Sequence, residues 1–167
     1  MSDSPKIAIY PGSFDPPTLG HLSVVERGIF LFDRVIVAVA HNSAKNSLFS
    51  PEERMDMLRE SLTHLDPSRV EVDSFDGLLV DYARSRQATA LLRGLRATSD
   101  FEYEFQMAMV NRHMEGGLQS VFLMTEYQWL YISSSIVREI ASYGADVRAM
   151  VPAPVADRLQ KKFEGRP

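Results

Sequence analysis

The residues able to do chemistry in this chain are few, and they stand just beyond short apolar runs. His21 closes the stretch "YPGSFDPPTLGH", which grows out of the apolar run 7–10. Pro11 and Gly12 suit a sharp exit from a strand, Gly12 because it tolerates positive φ or close backbone approach. Ser13 and Phe14 then present backbone N–H groups. A helix beginning at Pro17 or Thr18 puts His21 in its first turn, where free N–H donors and about half a positive charge attract an anion. A histidine met alone reads as an ordinary helix-surface residue. In this setting it reads as one more donor in a phosphate seat.

The remaining cations follow the same plan. Lys45 is the only basic residue of "AHNSAKNSLFS" and can reach a phosphate over the strand ends. His41, in the same loop, reads as a plain loop residue. Arg93 ends an apolar run, and Arg96 follows after Gly94 and Leu95. An arginine at a strand end is costly unless it meets an anion. The pair therefore reads as a phosphate clamp in preference to a salt bridge with Asp100, Glu102 or Glu104. Glu104 either binds a ribose or fixes an arginine. Ser133, Ser134 and Ser135 open a helix with Arg138 one turn on. One serine serves as cap, and all three with the arginine read as a second anion site at a helix N-terminus. Trp129, the only tryptophan, either flanks a base or anchors its loop. Leu79, after a turn at Gly77, is core or pocket wall.

Several classes are excluded. The chain has no cysteine, so disulfides, thiolate metal sites and thiol catalysis are absent. Neither G-x-x-x-x-G-K-[ST] nor G-x-G-x-x-G occurs, so this is neither a P-loop nor a dinucleotide fingerprint. The net charge of −4 argues against a general polyanion surface, and no nucleic-acid partner is expected. The N-terminal "MSDSPK" lacks the layout of a signal peptide. No apolar run approaches the roughly 20 residues that span a bilayer. The expectation is a soluble cytoplasmic protein without a membrane partner.

Regular elements must bring these loops together. Apolar runs at 7–10, 35–40, 70–75, 90–93 and 121–124 read as strands, most of them covered on both faces. Between them lie segments of helical period: Leu22, Val25, Ile29 and Phe32, then Met55, Leu58, Leu62 and Leu65. "SPEERM" marks a helix start with Ser50 as cap, Pro51 first and Glu53 closing a capping box. Shorter helices follow at 78–86 and 134–143, with a C-terminal helix at about 153–164. Phe101, Phe105 and Met109 form a further stripe, either core or subunit contact. The alternation predicts one domain over residues 1–167: an α/β, Rossmann-like, doubly wound five-stranded parallel sheet. Ligands of such sheets bind beyond the carboxyl ends of the strands, where the chemistry-bearing residues stand.

The loops carry a family resemblance. "TLGH" at 18–21 resembles the T-x-G-H signature of the nucleotidyltransferase superfamily related to class I aminoacyl-tRNA synthetases, and "ISSS" with Arg138 resembles its I-S-S-[ST]-x-x-[RK] signature. More narrowly, "YPGSFDPPTLGH", "LLRGLRATSDFEYEFQMA" and "SVFLMTEYQWLYISSS" resemble bacterial phosphopantetheine adenylyltransferase. The resemblance spans about residues 7–138, and its most specific part is "RGLR…DFEYE". It implies formation of dephospho-coenzyme A and pyrophosphate from ATP and 4′-phosphopantetheine with Mg2+, in a cytoplasmic homohexamer of coenzyme A synthesis. By motif it implies phosphopantetheine contacts from Ser13, Lys45, Leu79 and Arg93. It implies ATP contacts from Ser13, Phe14, His21, Gly94, Leu95, Arg96, Glu104, Trp129, Leu130, Tyr131, Ile132, Ser133, Ser134 and Ser135, with His21 stabilising the transition state. His21, Lys45, Arg93 and Arg96 are thus the expected catalytic set. Ser13 stands where the family often has threonine, Leu79 where it often has methionine, and Lys45 lacks the second lysine of some relatives. The sequence offers no carboxylate cage for the metal, so ATP phosphates and water are expected to supply most of its ligands. The rivals are a sister enzyme acting on nicotinamide mononucleotide or on a phosphorylated alcohol with CTP, a nucleotide sensor without turnover, and a flavodoxin-like fold with another ligand.

Overall fold

The structure, a computed structural model, describes residues 4–41, 46–96 and 98–164. Its elements run β1 (Ile7–Gly12), α1 (Leu19–Gly28), β2 (Arg34–Ala40), α2 (Pro51–Ser61), β3 (Val70–Phe75), α3 (Leu79–Ser85), β4 (Ala90–Leu95), α4 (Thr98–Met114), β5 (Gln119–Met124), α5 (Ser134–Ser142) and α6 (Ala153–Phe163). The five strands form one parallel sheet in the order β3-β2-β1-β4-β5. The winding reverses between β1 and β4, which makes their carboxyl ends the switch point where such sheets bind ligands.

Strand periodicity builds a core on each face. Ala8 and Tyr10 of β1, with Val35, Val37 and Val39 of β2, pack against Leu22, Val24 and Val25 of α1 and Leu58 of α2. Ile9, Ile36 and Ala38 point the other way, toward Val80 and Ala83 of α3. A third cluster joins α5 and α6 to Phe49 and Met57 around Val137, Val155 and Leu159. The central strands are covered on both faces as their composition predicts. The β3 side chains are only half-buried, because β3 is an edge strand.

Helix α2 starts as its sequence dictates, with Ser50 and Glu53 in a reciprocal capping box and Pro51 inside it. Helix α1 ends at Gly28, earlier than the apolar spacing out to Phe32 implies. Helix α4 rests on β4 and β5, but Phe101, Phe105 and Met109 face outward, each about half exposed. The stripe left open between core and contact surface is therefore not core within one chain.

Candidate active site

Thr18 is the N-cap of α1, and His21 occupies the third helical position. The Thr18 hydroxyl accepts the His21 N–H (3.3 Å), and the Thr18 N–H donates to His21 Nδ1 (3.0 Å). This is a capping box with histidine where glutamate or glutamine usually stands. Burial, reinforced by the charge of Arg96, pushes the imidazole pKa down to about 4. The ring is neutral at pH 7, and since Nδ1 accepts from Thr18, its proton sits on Nε2. The edge of Phe14 packs against this ring at 5.1 Å. Of the two roles expected of Gly12, close approach is the one used: a Cβ there would meet the Phe14 ring at 2.9 Å. The positive φ of this turn falls on Phe14 itself (+46°).

Strand β4 does not stop at Arg93 but runs on to Leu95, pairing Arg93 with Phe122 and Leu95 with Met124 of β5. Pairing with a neighbour extends the strand past its apolar run, which sequence alone could not reveal. Gly94 is needed in this extension, because a Cβ would stand 3.0 Å from Val24 of α1. The Arg93 guanidinium makes the salt bridge that the sequence reading ranked below a free clamp. Its Nε and Nη2 donate to Glu104 Oε2 (2.7 Å) and Oε1 (2.5 Å), and its Nη1 to the Pro11 carbonyl (3.1 Å). The cause is tertiary: α4 folds back over β4 and lays Glu104 on the strand end. Burial opposes the Arg93 charge, but the Glu104 bonds outweigh it and hold its pKa above the ordinary value. Glu104 thus fixes an arginine, one of the two roles expected of it. Arg96 donates through Nη1 to the Ile132 carbonyl (3.2 Å), tying β4 to the serine loop.

The three serines divide their work. Ser133 caps α5 by accepting the Ile136 N–H (3.2 Å). Ser134 donates to the Pro16 carbonyl (2.8 Å), joining α5 to the first loop. Ser135 is exposed at the rim of the cavity beside them. Arg138, read as part of an anion site, instead braces that loop: its Nη1 donates to the Asp15 carbonyl (2.5 Å) and to Asp15 Oδ2 (3.0 Å).

Sequence reasoning passed over two residues that hold these loops. Asp15 is buried, and its carboxylate also accepts the N–H groups of Leu48 (2.8 Å) and Phe49 (2.9 Å). Arg54 is buried and donates to the carbonyls of Ser13 (2.7 Å) and Ser50 (3.3 Å). The signals were present. Asp15 is a carboxylate wedged between Phe14 and Pro16, and Arg54 shares the buried face of α2 with Met57, Leu58 and Ser61.

Two hollows open at the switch point. The larger, about 500 Å³, is lined by Tyr10, Phe14, His21, Gly94, Arg96, Thr125, Trp129, Ile132 and the three serines. The smaller, about 330 Å³, is lined by Ser13, Ala40, Phe75, Leu79, Met107 and Asn111. Pro11, Gly12, Arg93, Tyr103 and Glu104 line both. Leu79, expected at the second substrate, and Ser13, expected at both, line only the smaller hollow, which shares a wall with the larger one. Trp129 packs against the α5–α6 cluster, as a loop anchor does, and also lines the larger hollow. Leu95 is buried, Tyr131 is exposed, and neither they nor Leu130 line either hollow. Lys45 and the side chain of Asp100 lie outside the described residues. Among the described residues, no three His, Asp or Glu side chains are grouped to hold a metal ion.

Residues 9–140 match the cytidylyltransferase-like family. A phosphopantetheine adenylyltransferase of Desulfosudis oleivorans is 57% identical over 158 residues, covering 95% of this chain and 93% of that protein. The chain belongs to the phosphopantetheine adenylyltransferase family. A second member of this family, from Geobacter metallireducens, is 53% identical over 95% of this chain and 96% of its own length. The fold extends beyond the family. A bifunctional NMN adenylyltransferase/ADP ribose pyrophosphatase of Francisella tularensis superposes with a TM-score of 0.72 at 14% identity, covering 98% of this chain and 51% of that one.

Proposed function

We propose that this chain transfers the adenylyl group of ATP to 4′-phosphopantetheine, reversibly, giving dephospho-coenzyme A and pyrophosphate in coenzyme A biosynthesis. The observation that carries this reading is the pair of hollows meeting at Arg93, with the His21 Nε2–H donor in the larger one. Two substrates seated on either side of that wall meet at the sheet's switch point.

The phosphate oxygen of phosphopantetheine is already an anion at pH 7, so no general base is needed. It attacks the α-phosphorus of ATP, a new P–O bond forms, and the bond to the β-phosphate oxygen breaks to release pyrophosphate. The barrier lies in bringing two polyanions together and stabilising charge on the α-phosphate, which calls for positioning and fixed donors. His21 Nε2–H and the N-terminus of α1 address the α-phosphate. Arg93, held rigid by Glu104, presents its charge to the phosphopantetheine side, with Lys45 assigned to the same phosphate by motif. Arg96 and the start of α5 receive the leaving pyrophosphate. Gly94, Leu95, Leu130, Tyr131 and Ile132 are assigned to ATP by motif, and Trp129 flanks the base.

The described residues do not fit a protein-held metal. Mg2+ is assigned as part of the ATP substrate, its ligands coming from phosphate and water. Coenzyme A and dephospho-coenzyme A occupy the same two hollows. The exposed apolar face of α4, with Phe101, Phe105, Met109 and Met114, supports a homo-oligomer, assigned as a cytoplasmic homohexamer. Light scattering reads that assembly directly.

The test is incubation with ATP, Mg2+ and 4′-phosphopantetheine, followed by chromatography for dephospho-coenzyme A, with nicotinamide mononucleotide in parallel. Turnover of the mononucleotide alone would move the chain to the sister activity. ATP binding without pyrophosphate exchange would make it a sensor.

A further inference from the structure

Tyr10 is the one polar side chain that β1 sends into the α1 face of the core. Its neighbours there, Ala8, Leu22, Val24, Val25 and Leu92, are all apolar. The residue is 6% exposed; among the described residues its hydroxyl makes no hydrogen bond, and the oxygen is not one of the sealed, unpartnered polar atoms, so it opens to the hollow that Tyr10 lines. Phenylalanine would fill the same core position without the polar atom, so the hydroxyl's place is at the hollow and not in the packing.

The surroundings of the hydroxyl explain its presence. Tyr10 lines the larger hollow together with His21, Arg93 and Arg96. Its ring packs edge-on against Phe14 at 5.4 Å, which fixes its direction. The hydroxyl lies beside Gly94, where a Cβ would touch Tyr10 Oη at an ordinary 3.7 Å. The charges felt at the phenol are Arg93, Arg96 and Glu104. A hydroxyl free to donate, in a hollow whose other polar walls are largely donors, is complementary to an anionic oxygen.

We infer that the Tyr10 hydroxyl donates a hydrogen bond to a non-bridging oxygen of the phosphate transferred in the larger hollow, beside His21. This inference rests on the adenylyl transfer proposed above. Burial, the largest influence on the phenol, raises its pKa. The group therefore stays protonated and acts as a donor, not as a base.

The experiment compares wild type with Tyr10→Phe in dephospho-coenzyme A formation, with thermal unfolding as a check on the fold. A wild-type protein that makes no dephospho-coenzyme A would overturn the parent activity, independently of Tyr10. Given wild-type turnover, the expected result is a kcat at least tenfold lower, with KM for each substrate within about twofold and an unchanged or higher melting temperature. A kcat within twofold of wild type overturns the inference and leaves the hydroxyl to water. Should Tyr10→Phe fail to fold, 3-fluorotyrosine at position 10 keeps the ring and hydroxyl while sharpening the donor. A change in kcat of twofold or more sustains the inference, and an unchanged kcat overturns it.

Discussion

Thr18 and His21 cap each other: the hydroxyl of one accepts the backbone N–H of the other, whose ring nitrogen accepts in return. The bond that starts α1 therefore also decides which nitrogen of the imidazole carries the proton. Helix initiation and the direction of the Nε2–H donor are one interaction.

His21→Ala and His21→Gln separate these two roles. Glutamine suits the third position of a capping box, so His21→Gln should melt near wild type while His21→Ala loses about 1 kcal/mol. Both should lower kcat by about 10²–10³ and change KM for ATP far less. Steady-state kinetics with calorimetric melting checks this, and an equal loss in ATP binding would remove His21 from the transition state.

The same ring sets a pH dependence. Its folded-state pKa, about 4, lies below the ordinary 6.5. As pH falls below 6.5, the unfolded chain takes up the proton first. The stability tied to the neutral ring is thus complete above pH 6.5 and is lost as pH falls toward 4. The melting temperature of wild type should fall more between pH 7 and pH 4 than that of His21→Gln. Turnover should show no acidic limb from this histidine near pH 6.5.

Asp15 and Arg138 predict an asymmetric pair of variants. Asp15→Ala strips acceptors from the N–H groups of Leu48 and Phe49 and removes the carboxylate facing Arg138, which keeps only the backbone carbonyl of residue 15, at a cost of about 3 kcal/mol. Arg138→Met should cost less, because the carboxylate keeps its two backbone donors. Urea unfolding of both would show this order, and the reverse order would place the anchor at Arg138.

Arg93 is predicted to discriminate between the substrates. Arg93→Ala should weaken 4′-phosphopantetheine more than ATP in titration calorimetry, and the opposite ranking would reject its assignment. Glu104→Gln loses the charge that holds the guanidinium and should weaken both ligands, since Arg93 lines both hollows.

Gly94 and Val24 should behave as a coupled pair. Gly94→Ala brings a methyl group to 3.0 Å from Val24 Cγ2 and should destabilise by about 1–3 kcal/mol. Val24→Ala in the same chain should recover part of that loss. Additive costs in a double-mutant cycle would mean the contact is not the cause.

What could be read from the residues alone was whatever depends on near neighbours in the chain. Short continuous apolar runs, the Ser50–Pro51–Glu53 helix start and the placement of His21 in a first turn are local. The parallel sheet then followed from the alternation of elements, and with it the edge where the loops gather. The motifs at 11–21, 93–104 and 129–138 carried the family.

The tertiary structure decided who pairs with whom. The sequence offers Arg93 as a cation at a strand end, but only α4 brings Glu104, eleven positions on, onto its guanidinium. Arg138 reads as part of an anion site from its spacing to the serines, while its observed partner, Asp15, stands 123 positions away. Asp15 itself passed unread because its partners Leu48 and Phe49 lie on another loop. A side chain's charge and size are local properties, but its acceptors are chosen by the packing of distant segments, and no spacing in the sequence encodes that choice.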